Sequence, residues 1–262
     1  MSLRPAVFAS LWLGIATVPL SPRAPATFRY RIDSKNQTTI DLSGLGQPAQ
    51  EQSLGLSAWV VVSLQDTSGG RVLHVVVDSV TYDGTLPIGK ESVDSAKGGT
   101  IHGLVDPAGR VKNLTVTPNA SVFMAQVEAV MAGFFPRIKA GAKTGDKWID
   151  TMEVTNSAGG ANTKTQRISN YTLGGKETVS GLPAMRLNSA YTSTTSGTLE
   201  NQMGTLEVEG TGTGTGYYLV GTDGNSLGSG STTNLDQKVK MAMAPLPIPV
   251  KVAQTLTVTL LK

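Results

Sequence analysis

Apolar and polar residues alternate with a period of two in short runs that recur along most of the chain. In 28–33, for example, Phe28, Tyr30 and Ile32 share one face and charged residues take the other. Turn-forming stretches such as 106–110, which contains proline and glycine, separate these runs. A period of two is typical of strands with one buried face. The predicted strands are 28–33, 54–65, 71–82, 100–105, 111–116, 147–155, 163–173, 177–181, 184–195, 203–209, 217–220, 234–243 and 250–261.

The loops between these runs are mostly short, and no βαβ spacing occurs among them. We therefore expect a mainly β fold: a single antiparallel, strongly curved sheet of about 11–12 strands that forms a barrel or half-barrel. No interdomain linker stands out, so 27–262 is predicted to be a single β-rich domain. An outer-membrane barrel is disfavoured because aromatic residues make up 5% of the chain, too few for two girdles.

One segment departs from the strand pattern and predicts a helix over 118–134. Thr117 is suited to cap it, and Pro118 fits the first helical position, where a missing N–H costs nothing. Apolar residues recur on one helical face, namely Phe123, Val127, Val130, Met131 and Phe134. A helix this apolar has to be covered, so we expect it to pack against the sheet. It either covers an apolar cavity, with Phe123, Val127, Met131 and Phe134 binding a ligand, or is a core helix without a ligand.

The first 26 residues have the layout of a secretory signal peptide. A basic start precedes the uncharged apolar run 5–20, and a small-x-small triplet with Ala24 and Ala26 at its ends predicts cleavage after Ala26. The alternative is a retained membrane anchor, although this run is short for a span of about 20 residues. Export without cysteine predicts a periplasmic or secreted bacterial envelope protein, with no integral membrane span in the mature chain.

Removal of that segment lowers the net charge. The full chain has 22 basic and 19 acidic residues, a formal charge of +3, and losing Arg4 and Arg23 leaves 20 against 19, or +1. No cluster of basic residues interleaved with aromatic residues remains. Nucleic-acid binding is therefore not expected.

No arrangement of residues in the sequence predicts catalysis. The chain has no cysteine and two histidines, which leaves few residues for thiol-based or histidine-based catalysis. His74 precedes Asp78, and His102 precedes Asp106, by a spacing that separates the paired side chains by about 13 Å along a strand. We therefore predict no catalytic residue, no metal site and no cofactor, and hence no enzyme.

Two further segments have an unusual composition. The run 210–216 alternates Gly and Thr but leads into a predicted strand rather than a helix, so we interpret it as a flexible or bulged strand where backbones pass closely. The run 241–249 alternates proline with apolar residues, which predicts an extended stretch outside the middle of the sheet. We expect this stretch to lie over the barrel mouth or to offer a docking edge to a partner.

The order of 106–111, the predicted helix, Phe135-Pro136 and Gly145-Asp146-Lys147-Trp148 is similar to that in uncharacterised bacterial exported proteins and lipoproteins. The architecture also resembles the half-open barrels of periplasmic lipoprotein carriers, where a sheet wraps an apolar cavity under a helical lid. This chain differs from the lipoprotein members because it has no cysteine after its signal segment. The resemblance implies a fold and a compartment, and it implies no catalytic residue.

Three functions remain open at this point. The leading hypothesis is a non-enzymatic envelope protein that binds a lipid-like or other apolar molecule in a groove under the helix. The second is a structural accessory subunit that docks on a membrane protein assembly through 241–249 or a retained N-terminus. The third is an exported hydrolase, for which the spacing of the histidines and carboxylates gives no support.

Overall fold

The computed structural model describes residues 26–85, 93–107, 109–118, 121–139, 141–156, 161–201, 204–241 and 246–261. The predicted signal peptide therefore lies outside the described residues, except for its last residue. Ala26 is the first residue of a strand and pairs with Leu64, whereas Ala24 is outside the described ranges. Cleavage between the segment and the domain stays a prediction.

Eleven strands form one antiparallel sheet that curls into a half-barrel. They are β1 (Ala26–Ile40), β2 (Gln50–Thr67), β3 (Gly70–Gly84), β4 (Thr100–Val105), β5 (Val111–Thr117), β6 (Lys147–Asn156), β7 (Ala161–Val179), β8 (Leu182–Asn201), β9 (Gly204–Gly221), β10 (Ser226–Met241) and β11 (Ile248–Leu261). A short 3-10 helix covers Ser43–Leu45, and the helix α1 covers Val122–Ala132. The predicted fold class is confirmed.

The strand order in the sheet is β5-β4-β3-β2-β1-β11-β10-β9-β8-β7-β6. Strands that are neighbours in the chain pair with each other, except for β5 and β6, which are the two edges of the sheet. The pairing of β1 with β11 joins the two meanders. The first meander, β1–β5, ends at the edge strand β5, and the second, β6–β11, begins at the edge strand β6. Curling of the sheet brings both edges toward α1.

Several strands are longer than the sequence predicts. The predicted strand 217–220 and the described part of the predicted strand 203–209, which is 204–209, both belong to β9, because the alternating Gly and Thr residues between them stay in register with β8. Residue 203 lies outside the described residues. The close backbone approach predicted for 210–216 is confirmed, since a Cβ on Gly210 would lie 2.9 Å from the carbonyl oxygen of Asp236. No register shift interrupts the pairing of this run, so the alternative of a bulge there is wrong.

The helix is shorter than predicted at both ends. Thr117 does not cap it, because this residue is the end of β5 and pairs with Thr100 of β4. Ser121 is the N-cap instead, and its hydroxyl oxygen accepts a hydrogen bond from the backbone N–H of Met124 at 3.5 Å. Pro118 therefore precedes the helix rather than opening it, and α1 ends at Ala132 before Gly133.

The proline-containing stretch 241–249 also differs from the prediction. Pro249 lies in β11, where it pairs with Lys238 of β10, and β11 occupies the middle of the sheet between β10 and β1. The expectation that the stretch avoids the middle of the sheet is therefore wrong for its last two residues and for Met241, which ends β10 and pairs with Leu206 of β9. The position is tolerated because Pro249 is near the start of its strand, where a missing N–H removes little of the ladder. Residues 242–245 lie outside the described residues.

The main apolar core lies between α1 and the concave face of the first meander, with a contribution from β11. Alternate residues of β2 and β3 point into it, including Val60, Val62, Val75 and Val77. The helix contributes its apolar stripe, as the sequence predicts. A smaller apolar cluster, formed around Tyr171, Leu173 and Leu187, lies in the second meander. The half-barrel thus has a well-filled half and a sparsely apolar half.

Candidate functional site

The helix α1 has a second face, which is built from small residues. Ala125, Ala129 and Ala132 recur at helical spacing on the side that faces away from the apolar stripe, together with Glu128. These residues line a cavity rather than packing against the sheet. The alanines are short enough to leave that space open, whereas larger side chains would fill it.

This cavity has a volume of about 500 Å³ and lies in the seam of the half-barrel. Residues of β5, such as Leu114, form one wall, and residues of β6, such as Met152 and Val154, form the other. Since β5 and β6 are the two edges of the sheet, their unpaired sides flank α1. We call this cavity the seam groove.

A second cavity of about 640 Å³ lies at one end of the half-barrel, where the β2–β3, β4–β5 and β9–β10 turns meet. Its apolar lining comes from Val105, Pro107, Phe135, Pro136 and Ile138. Phe135 and Gly109 also line the seam groove, so the two cavities adjoin each other. We call the second cavity the end cavity.

Asp106 is a charged residue of the end cavity that several contacts hold in place. Its carboxylate accepts hydrogen bonds from the Arg110 backbone N–H at 2.9 Å and from the Arg110 Nε at 2.7 Å, and it forms an ion pair with Lys112 at 3.0 Å. Burial alone would raise the pKa of Asp106, but these hydrogen bonds and the Arg110 charge outweigh it and hold the pKa well below its usual value. Asp106 is therefore ionised near neutral pH and fixes the β4–β5 turn.

Arg71 occupies the wall of the end cavity in a defined position. Its Nη1 donates a hydrogen bond to the Asn225 Oδ1 at 2.7 Å, and its guanidinium lies 5.4 Å from the centre of the Phe135 ring. Asn225 is itself held by Asp223, which accepts hydrogen bonds from its backbone N–H and its side-chain amide. Hydrogen bonds therefore fix the side chains of Arg71, Asn225 and Asp223 relative to one another, and Phe135 presents an apolar surface between the cavities.

Arg137 fastens the segment after the helix to the edge strand β6. Its guanidinium forms an ion pair with Asp150 at 2.7 Å and donates a hydrogen bond to the carbonyl oxygen of Thr151 at 3.0 Å. The Trp148 indole N–H donates back to the Arg137 carbonyl oxygen at 3.2 Å. These contacts fix the position of β6 relative to the end of α1 and so determine the width of the seam groove.

The four residues predicted to bind a ligand lie in the main core. Phe123 and Met131 have 0% exposure, Val127 has 1% and Phe134 has 3%, and none of them lines the seam groove or the end cavity. Phe134 borders a small cavity of about 80 Å³ between α1 and the second meander. Ligand binding by these four stays a prediction. The residues that do line the larger cavities were missed, although the spacing of Ala125, Ala129 and Ala132 is visible in the sequence.

The structure brings together two histidines that sequence reasoning treated separately. His74 of β3 and His102 of β4 are directly opposite each other, and their rings stack with centroids 4.4 Å apart. Burial, and then the neighbouring His102, lower the pKa of His74. The carboxylates at the predicted spacing lie elsewhere, since Asp106 binds Arg110 and Lys112. Across the part of the chain that the structure describes, no three His, Cys, Asp or Glu side chains are grouped to hold a metal ion.

Comparison with known proteins finds no family model and no curated protein that matches this sequence. Among solved structures, lipovitellin, in a structure of its lipid–protein interactions, is 12% identical with a TM-score of 0.48 over 90% of this chain. The chain spans 25% of the lipovitellin chain.

Two bacterial proteins are also similar in structure. Pseudomonas aeruginosa OccK2 (OpdF), in complex with glucuronate, is 6% identical with a TM-score of 0.24. The match covers 90% of this chain and 98% of the OccK2 chain. A loop-deletion mutant of the Vibrio cholerae outer membrane protein OmpT is 9% identical with a TM-score of 0.16. The match covers 90% of this chain and 100% of the OmpT chain. These likenesses assign no function to the chain. Within the described ranges, no helix combines the length and apolar character needed to cross a membrane.

Proposed function

We propose that this chain is a non-catalytic protein of the bacterial envelope that binds a lipid-like or other apolar small molecule in the seam groove and the end cavity. The observation that carries the proposal is the contact between the two cavities, which share Gly109 and Phe135 in their linings. The end cavity is mainly apolar, the seam groove is lined by both polar and apolar groups, and each has the volume of a typical ligand pocket, about 300–1,000 Å³.

The composition of the walls supports an apolar ligand. Leu114, Met152 and Val154 approach the seam groove from the sheet edges, and the alanine face of α1 provides a smooth apolar surface between them. Binding is favourable when an apolar ligand displaces water from apolar surface of this kind. Most of the charged side chains that line the seam groove are held in ion pairs.

The lack of a catalytic role is part of the proposal and rests on the sequence, in which the spacing of histidines and carboxylates indicates no catalytic pair. Location in the envelope rests on the signal-like segment 1–26 and on the absence of cysteine.

Blocking the seam groove tests the proposal. The apolar dye N-phenyl-1-naphthylamine should bind the wild-type protein with saturable fluorescence enhancement. Ala129→Phe places a large ring in the groove and should weaken binding by about tenfold or more, since the dye and the ring compete for the same volume. Ala253→Phe is the matched control, because Ala253 is exposed on β11 away from both cavities.

Circular dichroism and thermal unfolding would verify that both variants fold. Absence of saturable dye binding to the wild-type protein would contradict the proposal, as would equal binding by the two variants. Native mass spectrometry of the protein purified without detergent would then identify a ligand that copurifies with it.

Docking on a membrane protein assembly is the second candidate function. It is favoured by Leu246, which is 59% exposed in the proline-containing stretch before β11. Cosedimentation of the natively expressed protein with a defined membrane complex, lost on Leu246→Asp, would support this alternative. Behaviour as a free monomer in the native extract would oppose it.

A further inference from the structure

The charged residues that line the seam groove are nearly all paired within the protein. Arg110 and Lys112 both bind Asp106, and Arg137 binds Asp150. On the β6 wall, Glu153 forms an ion pair with Lys164 at 2.9 Å. Glu128 is the exception: among the described residues, the structure shows no ion-pair or hydrogen-bond partner for its carboxyl group.

Glu128 lies in the middle of α1, on its small-residue face. Ala125, Ala129 and Ala132 surround it on the helix, and the side chain is half-buried. Burial raises the pKa of this carboxyl, and no compensating contact lowers it. A partly desolvated carboxylate without a partner lowers the stability of a protein, because it has lost part of its hydration and gained nothing in return.

We infer that the seam groove binds a cationic amphiphile, whose ammonium head group pairs with Glu128 and whose apolar chain lies along Ala132 toward Phe135. This inference rests on the proposed function and names the class of ligand. An ammonium group supplies the charge and the hydrogen-bond donors that the Glu128 carboxylate lacks. From Glu128, the groove continues along the alanine face to Phe135 and the end cavity, which leaves an apolar path for the chain.

The positive charges near the groove do not favour an anionic head group in the same position. Arg110 and Lys112 share the single carboxylate of Asp106, so they carry a surplus positive charge, but both side chains are 49% exposed. Solvent and salt screen an exposed charge far more than a half-buried one. Glu128, which faces apolar neighbours, is therefore the stronger determinant of head-group charge.

Three molecules with the same alkyl chain test the head-group preference. Dodecylamine, dodecanol and dodecanoate, each below the concentration at which it aggregates or separates from solution and near neutral pH, would compete with bound N-phenyl-1-naphthylamine. We expect dodecylamine to compete about tenfold better than dodecanol, with dodecanoate the weakest, because a charge-assisted hydrogen bond adds to the same apolar contact.

Two variants of Glu128 and one control complete the experiment. Glu128→Gln should bring dodecylamine to the level of dodecanol, with the two competitors compared within the same variant. Glu128→Lys should reverse the preference so that dodecanoate competes better than dodecylamine. Glu153→Gln is the matched control, since it removes the same charge from the same groove at a position already paired with Lys164, and it should keep the preference for the amine.

The outcomes separate this inference from the proposed function. If the wild-type protein binds neither the dye nor dodecanol, the proposed function fails. If it binds both, but dodecylamine is no better than dodecanol or dodecanoate is best, the cationic ligand is excluded while apolar binding stands. An unchanged amine preference in folded Glu128→Gln or Glu128→Lys also overturns the assignment of Glu128.

Discussion

The two meanders of the sheet share one topology but fill their concave faces with different residues. In the first, inward residues such as Val60 and Val75 are aliphatic and have at most 1% exposure. In the second, the corresponding positions are often serine or glycine, such as Ser189 and Gly216, which face each other across β8 and β9. One half is stabilised mainly by buried apolar surface, and the other depends more on its backbone ladder and on close strand packing.

The second meander compensates for its small residues with aromatic side chains that lie over glycines. The Tyr191 ring of β8 lies directly over Gly214 of β9, and its hydroxyl group forms a hydrogen bond with the hydroxyl group of Thr233. On its other side, the Arg167 guanidinium lies 3.6 Å from the ring centre. A cross-strand unit of this kind packs a concave face without an apolar core.

The largest effect should come from truncating the helix stripe in the first meander. Phe123→Ala removes a ring with 0% exposure that α1 contributes to the main core, so we expect a loss of about 3–5 kcal/mol in the free energy of unfolding. Urea unfolding followed by circular dichroism measures it. Ile149→Ala is the control, because Ile149 is 69% exposed and should change the free energy by less than about 0.5 kcal/mol. Equal losses in the two variants would remove the distinction between a core-stabilised half and the rest of the sheet.

An intermediate effect should come from adding one methyl group to a glycine of the second meander. In Gly214→Ala, the new Cβ would lie 2.5 Å from the carbonyl oxygen of Thr232 and would also clash with the Tyr191 ring, so we expect a loss of about 1–3 kcal/mol. Gly175→Ala is the matched variant, since a Cβ there meets no atom within 4 Å. Thermal unfolding of both variants measures the difference. A neutral Gly214→Ala would show that close strand packing does not stabilise this half.

The smallest effect should come from a buried serine in the second meander. The Ser189 hydroxyl group is buried without a hydrogen-bond partner among the described residues, so Ser189→Ala should change the free energy of unfolding by less than about 0.5 kcal/mol. Ser121→Ala provides the contrast, because it removes the N-cap of α1 and should cost about 1 kcal/mol. Chemical unfolding of the two variants side by side distinguishes them. A larger loss of unfolding free energy for Ser189→Ala than for Ser121→Ala would contradict this prediction, because it would mean that the Ser189 hydroxyl group makes a stabilising polar interaction.

Local sequence patterns predict the strands and the buried helix face well, because both follow from the periodicity of apolar residues. Phe123 and Met131 share a face by helical spacing alone, and the structure buries that face. Strand ends are less predictable. In the sequence, the glycines of 210–216 resemble an interruption between two strands. Only the neighbouring Tyr191 and Leu235 side chains show why a continuous strand needs small residues there.

The candidate site is harder to predict because it depends on distant strands. Leu114 and Val154 face the same groove only because the sheet curls until its two edges flank α1. Likewise, the stacking of His74 on His102 depends on the register between β3 and β4, and the spacing of residues within a single strand does not predict that register. To predict that Glu128 has no partner within the described chain, one would have to know the position of every neighbouring charge.

The pairing of β1 with β11 has a consequence for the order in which the chain folds. Within the sheet, this ladder is the junction between the two meanders, and it pairs residues as distant in sequence as Arg29 and Leu261. Each meander consists of local hairpins, which form quickly, whereas contacts this distant form slowly because a large loop has to close first. We therefore expect the half-barrel to be completed late, once β11 is free to pair with β1.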